Sequence, residues 1–294
     1  MKNNMNENFN PYKSALDGLK LRNPVRAFFD FCIEREKIRS KRESGLPAPW
    51  SEDIIFQKGR FLNVFREDDR GSKSIIQFIN QIESDFSFLV QAVFFARWCN
   101  RQETLDLLNP EILKDPDELF KFLRKINPWC NETAYPVEPI LWSNMKYSRL
   151  DAATKIFHLA KKKLAGIIIS SNGSVVDAVD GINNIFKMKN NFPIFMAVMD
   201  IAWFRPDIIK PYSNVPVGIG AVAYIDRLKS FLGIETDEEI FQHMVNVQKK
   251  YWPKAKRQFF PIDIEYLCCE CRKYYSYVNG TKQFEGKNVF LPKN

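Results

Sequence analysis

The chain has 294 residues, of which 45% are hydrophobic and 14% aromatic, with 25 Phe. That is enough apolar material for one large domain or two closely packed ones, and it excludes a globally disordered chain. A formal net charge of +8 suits a polyanionic partner, most often nucleic acid.

The start, MKNNMNENFN, is polar and Asn-rich, unlike a signal peptide, and no apolar run reaches the ~18 residues of a membrane span. The expectation is a cytoplasmic protein with reduced thiols at cysteines 32, 99, 130, 268, 269 and 271. CCEC at 268–271 holds one C-x-x-C spacing, but the other cysteines and the two His, His158 and His243, are distant in sequence. Buried apolar thiols, no metal and no cofactor are expected.

Residues 1–20 read as a disordered or loosely packed tail, and 21–294 as a single helical domain with two subdomains. Residues 23–43 predict a long helix with Asn23 as N-cap, Pro24 at the first helical position and an apolar stripe of Phe28, Phe31, Cys32 and Ile38. GLPAPW at 45–50 breaks it, and Ser51 is the expected cap of the next helix. In FLNVFREDDR at 61–70, a helix would put Asn63, Arg66 and Arg70 on one face with Asp69 beside it. Such a face is a salt-bridged surface or the lining of a site for a polar, anionic substrate. The large apolar residues flanking the polar set favour the lining.

Helices are predicted over 74–100 and 115–127, then an irregular Pro-rich stretch over 128–148 with Trp129 and Trp142. The next helix, 150–165, ends in AKKKLAG, where cations suit the dipole of a C-terminus. GIIISSNG at 166–173 reads as a short strand or a helix end. Helix 174–187, the turn MKNNF and the almost wholly apolar run 192–204, a central buried helix, form a helix–hairpin–helix candidate within about 174–221. In such an element hairpin N–H groups hold a DNA phosphate; here the turn carries Asn190 and Asn191 in place of the usual glycines. A loop at 210–221 and helices at 222–232, 236–250 and 261–277 complete a mainly α chain.

No G-x-x-x-x-G-K-[ST], G-x-S-x-G, H-E-x-x-H or deaminase H-x-E with P-C-x-x-C occurs, and Gly218 with Gly220 gives only G-x-G. Four blocks carry a resemblance over roughly residues 22–280: Glu34, Arg35, Arg42, Pro49 and Trp50; Asn63, Arg66, Asp69 and Arg70; N-R-Q-E-T from Asn100; and VPVGIGA with IDIEYLCCECRKY, which supply Gly218, Gly220, Asp263, Cys269, Glu270 and Lys273. In these the chain resembles the phage DNA-base hypermodification proteins, the alpha-glutamyl/putrescinyl thymine pyrophosphorylases and the helical domain of 5-hydroxymethyluracil DNA kinases.

The resemblance implies a helix–hairpin–helix, DNA glycosylase-like fold acting on modified pyrimidines in phage DNA, with DNA as partner and no membrane. It departs from that scaffold in two places: the hairpin lacks its glycines, and Gly218 stands where a glycosylase has its Asp. The activity expected is excision of the modified base in anti-phage defence. The alternatives are a transferase that replaces an activated pyrophosphate on the thymine methyl by an amine, and a DNA-binding module without catalysis.

Excision passes through an oxocarbenium-like sugar that needs a carboxylate and a held, flipped base. Asp69 is the first candidate acid and Asp263 the second, each with a structural alternative, an ion pair and an N-cap. Asp200, in the apolar helix, is a clamp or a site acid. Asn63 would read a base edge, Arg35, Arg66 and Arg70 hold phosphates, and Trp50 stack on a base. Gly218 and Gly220 would let the backbone approach the ligand. Asn100, Glu270 and Lys273 join the binding set through the resemblance.

Overall fold

The computed structural model describes residues 16, 19, 21–82, 85–132 and 139–285. The expected tail at 1–20 lies, but for residues 16 and 19, outside them. In chain order the helices are α1 (Pro24–Glu43), α2 (Ile54–Lys58), α3 (Arg70–Ile79), α4 (Phe86–Cys99), α5 (Gln102–Leu105) and α6 (Pro116–Leu123). A hairpin of β1 (Ile140–Trp142) and β2 (Met145–Tyr147) follows. α7 (Arg149–Asp151) then runs through a π-helical stretch, Ala152–Ile156, into α8 (Phe157–Ser170). α9 (Val175–Phe186), α10 (Phe192–Phe204), α11 (Val222–Leu232), α12 (Asp237–Tyr251) and α13 (Pro261–Val278) complete a mainly helical protein.

The chain divides into two compact units, residues 1–66 with 217–294, and residues 67–216. In the first, α1 starts as its sequence dictates: the Asn23 side chain accepts the Arg26 N–H at 2.8 Å, and Pro24 occupies the first turn. Its buried face carries Phe28, Phe29, Phe31 and Cys32. Phe29 lies parallel to both Tyr251 of α12 and Phe259, with ring centroids at 5.2 and 6.3 Å. The Tyr224 hydroxyl of α11 satisfies itself on the Pro24 carbonyl at 2.9 Å.

In the second unit the apolar helix α10 is buried along nearly its whole length, as its composition predicts. It packs with α4 and α9, and Phe94, Trp98, Phe157 and Phe186 fill the space beside them.

Four local expectations are corrected. Residues 61–70 are not one helix: a 3₁₀ turn spans Arg66–Asp68, α3 begins at Arg70, and the boundary between the units falls after Arg66. Asn63, Arg66 and Arg70 therefore share no helical face. Asp53, not Ser51, caps α2, its Oδ1 accepting the Ile55 N–H at 2.7 Å, while Ser51 donates to Glu34. Segment 74–100 is two helices, because Asp85 caps α4 afresh through the Phe88 N–H. The helix predicted to end at 165 runs on to Ser170, since Ile168 is fully buried and holds the extra turn in the core. GIIISS is thus a helix end, and the triple lysine sits mid-helix.

Candidate functional site

The first unit contains a cleft of about 710 Å³ between α1 and residues 48–61. Its wall carries Arg35, Arg42, Lys58 and Arg60 with Trp50, Phe56 and Phe61, and no carboxylate is among the residues that line it. A concentration of positive charge around aromatic faces is the chemistry that receives phosphates and bases. Trp50 is fixed at both ends: its indole N–H donates to the Leu46 carbonyl at 2.6 Å, and its own carbonyl accepts from Lys41 Nζ at 2.8 Å.

A second cleft of about 620 Å³ adjoins it, and Ser51 and Phe56 line both. Here the charge is reversed: Asp30, Glu34, Glu52 and Asp53 line the wall against Lys37 and Lys41, with Tyr274 and Tyr275 of α13. The Tyr274 hydroxyl donates to Asp53 Oδ2 at 2.5 Å. Burial first, and that bond second, push the phenol well above its usual range.

α13 organises the surroundings of the cationic cleft with two side-chain rows, each spaced i, i+4, i+7. Tyr266, Glu270 and Lys273 hold the segment 61–64. Tyr266 donates to the Asn63 carbonyl at 3.1 Å, Glu270 accepts the Leu62 N–H at 3.0 Å, and Lys273 pairs with Glu270 at 2.7 Å while lying 5.1 Å over the Phe61 ring. Asn63, so positioned and buried, accepts from Arg35 Nη2 at 2.7 Å, and the same nitrogen reaches the Phe61 carbonyl at 3.1 Å.

The second row, Glu265, Cys269 and Arg272, holds the loop before α11. Glu265 accepts the Gly218 N–H at 2.9 Å and Arg272 donates to the Gly220 carbonyl at 2.9 Å. A Cβ at Gly220 would lie 2.6 Å from Cys269 Sγ, which accounts for glycine there. Burial raises the Glu265 carboxyl to about 7, against the Gly218 hydrogen bond and the Arg66 charge, which pull it down.

The expected site residues thus separate. Arg35 and Trp50 line the cleft; Asn63, Glu270 and Lys273 support it from behind; Gly218 and Gly220 sit in the loop on the neighbouring row of α13. Arg66 acts on Glu265 through its charge. Asp263 is fully buried, held by Arg257 at 2.5 and 3.0 Å, and caps α13 by accepting the Phe260 N–H at 2.8 Å.

Asp69, Arg70, Asn100 and Asp200 belong to the second unit. Asp69 occupies the N-cap position of α3. Arg70 is exposed and bonds Gln102 and Glu103 at 2.7 and 3.0 Å, as a salt-bridged surface does. Asp200 is clamped in bidentate fashion by Arg97, at 2.7 and 2.8 Å, and Asn100 closes α4 in the left-handed conformation at φ 42°.

Sequence reasoning missed Lys58, Arg60, Glu265, Tyr266 and Arg272. An i, i+4, i+7 reading of IDIEYLCCECRKY would have grouped the last three with Cys269, Glu270 and Lys273. Among the described residues no group of three or more His, Cys, Asp or Glu is placed to hold a metal ion, and no helix is long and apolar enough to cross a membrane.

The family model of the 5-hmdU DNA kinase helical domain matches residues 22–283. The chain belongs to this family. The match spans both units, from the start of α1 past the end of α13, so the cationic cleft and both rows of α13 lie within it. No curated protein and no solved structure matches the chain. Membership ties the protein to DNA base hypermodification, with DNA as the substrate class the family points to.

Proposed function

We propose that the protein is a group transferase of DNA base hypermodification, holding a modified pyrimidine nucleotide in the cationic cleft and an amine in the acidic one. The observation that carries this reading is the pair of adjoining clefts of opposite charge, which share Ser51 and Phe56 as a common wall. Arg35, Arg42, Lys58 and Arg60 suit the phosphates of a DNA strand, and Trp50 and Phe61 offer faces for a base. Asp30, Glu34, Glu52 and Asp53 suit a cationic amine, with Tyr274 and Tyr275 beside it. In the transfer, the amine nitrogen bonds to the exocyclic methylene carbon, the former thymine methyl, the bond from that carbon to the pyrophosphate oxygen breaks, and pyrophosphate leaves with the electron pair. The ammonium proton goes to solvent.

Excision of the base is the second reading, and Glu265 is the observation that favours it. Its carboxyl rests on the backbone of Gly218, the position where the glycosylase pattern lacks its acid. In that reading α9, the turn at 187–191 and α10 serve as a helix–hairpin–helix element that grips a phosphate. Asn190 Oδ1 there accepts the Phe192 N–H at 3.1 Å, closing the turn in place of a glycine.

One experiment separates the two. The purified protein is incubated with phage DNA carrying different modified pyrimidines, with and without added amines, and nucleosides and free bases are read by mass spectrometry. Transfer predicts an amine-dependent new nucleoside and no abasic sites. Free modified base and abasic DNA without added amine would replace the transferase reading by excision.

A further inference from the structure

The three consecutive lysines 161–163 are not explained by the helix dipole. α8 continues to Ser170, so the run lies two turns before the end, whereas the dipole acts within the last turn. Lys161 faces Asp85, whose carboxyl is held low by the Ser87 hydroxyl and the Phe88 N–H first and by this lysine last. Lys162 and Lys163 are exposed and point away from the core with Lys155.

Two aromatic rings assemble further cations around that face. Arg124, just past α6, and Lys155 both lie over the Phe120 ring, at 5.7 and 5.3 Å from its centroid. Lys163 lies 5.8 Å over Trp142, in the hairpin whose exposed Lys146 pairs with Leu141. Asp151 forms an ion pair with Lys155 at 3.5 Å. From Lys155 to Lys163 the helix rises roughly 12 Å, a distance along which duplex DNA presents several phosphates.

We infer that this face of the second unit binds the phosphate backbone of DNA. The inference rests on DNA being the substrate, as proposed above, but on none of the residues of the clefts. Flexible, exposed lysines make point-charge contacts without reading sequence. The surface therefore supplies affinity that is blind to the modified base, and the cleft of the first unit supplies the preference for it.

The test measures fluorescence anisotropy of labelled duplex DNA, with and without 5-hydroxymethyluracil, over a range of salt, using the full chain. The double variant Lys162→Glu/Lys163→Glu is expected to bind both DNAs about tenfold or more weakly, with the salt slope lowered by about two, close to one per lost contact. Lys162→Arg/Lys163→Arg is expected to bind as the wild type does. Circular dichroism melting of each variant is expected to match the wild type, and Lys162→Ala/Lys163→Ala, which adds no repulsion, should show the same loss in smaller measure. Unchanged affinity and slope in both the Glu and the Ala variants would overturn the surface while leaving the DNA reading standing. A wild type without salt-dependent DNA binding would overturn the DNA reading, and the surface with it.

Discussion

Glu265 turns its carboxyl onto the backbone of Gly218, Oε1 accepting that N–H at 2.9 Å from a position 4% exposed. Burial raises its pKa from the usual 4.5 to about 7. A carboxyl raised in the folded state favours its neutral form, so its contribution is complete below the unfolded value and is lost as pH rises through the folded one. Between about pH 5.5 and about pH 8.5 this one group should cost the wild type about 2 kcal/mol of stability. Glu265→Gln keeps an acceptor for Gly218 and removes the proton. The difference in unfolding free energy between variant and wild type, from urea titrations at the two pH values, should therefore grow with pH in favour of the variant. A pH-independent difference would mean that Glu265 titrates at its ordinary value.

Gly220 and Cys269 form a tighter contact on the same row. A Cβ on Gly220 would meet Cys269 Sγ at 2.6 Å but Cys269 Cβ only at 3.5 Å, an ordinary contact. Gly220→Ala should therefore destabilise by about 1–3 kcal/mol, as overpacking does. Cys269→Ala alone should cost less, and the double variant should recover most of the loss, giving a coupling energy of about 1 kcal/mol or more in a double-mutant cycle. Additive effects would show that the strain of Gly220→Ala lies elsewhere.

Much of this architecture is legible in local sequence and the decisive parts are not. α1 and α10 follow from an Asn-Pro start and an unbroken apolar run, signals contained within their own residues. Segment 61–70 fails as a helix because its backbone is taken by α13: Tyr266 and Glu270 reach Asn63 and Leu62 from some two hundred residues further on. The cleft shows the same limit. Arg35 and Trp50 are identifiable as residue types, but their convergence with Lys58 and Arg60 depends on how the chain returns after Pro49. Gly166 reads as a stop after the lysine run, but the buried Leu164, Ala165 and Ile168 carry the helix through it.

Asp200 and Arg97 are both nearly inaccessible and meet through two hydrogen bonds, at 2.7 and 2.8 Å, between α10 and α4. Breaking such a pair leaves a buried charge uncompensated, at a cost of about 3–5 kcal/mol. Asp200→Ala and Arg97→Ala should each lower the unfolding free energy by that order. The charge-neutral pair Arg97→Met/Asp200→Leu should be less destabilised than either. If Asp200→Ala instead left stability intact and abolished turnover, Asp200 would be a site acid and not a clamp.

Asn63 is 5% exposed and sits behind the cationic cleft, with its side chain on Arg35. Its Oδ1 holds Arg35 Nη2 at 2.7 Å, and Tyr266 fixes its backbone. Asn63→Ala should cost about 1–3 kcal/mol of stability, the range for losing one bond to a buried charged group. It should also weaken binding of modified DNA several-fold, because Arg35 loses the acceptor that aims it. Asn63→Asp supplies a carboxylate at the same place. It should hold Arg35 in position yet neutralise it, so that affinity falls while the melting temperature does not fall with it. Anisotropy titrations and thermal melts of both variants measure the two quantities separately. Wild-type affinity in Asn63→Asp would show that the charge of Arg35 is not what the cleft offers its ligand.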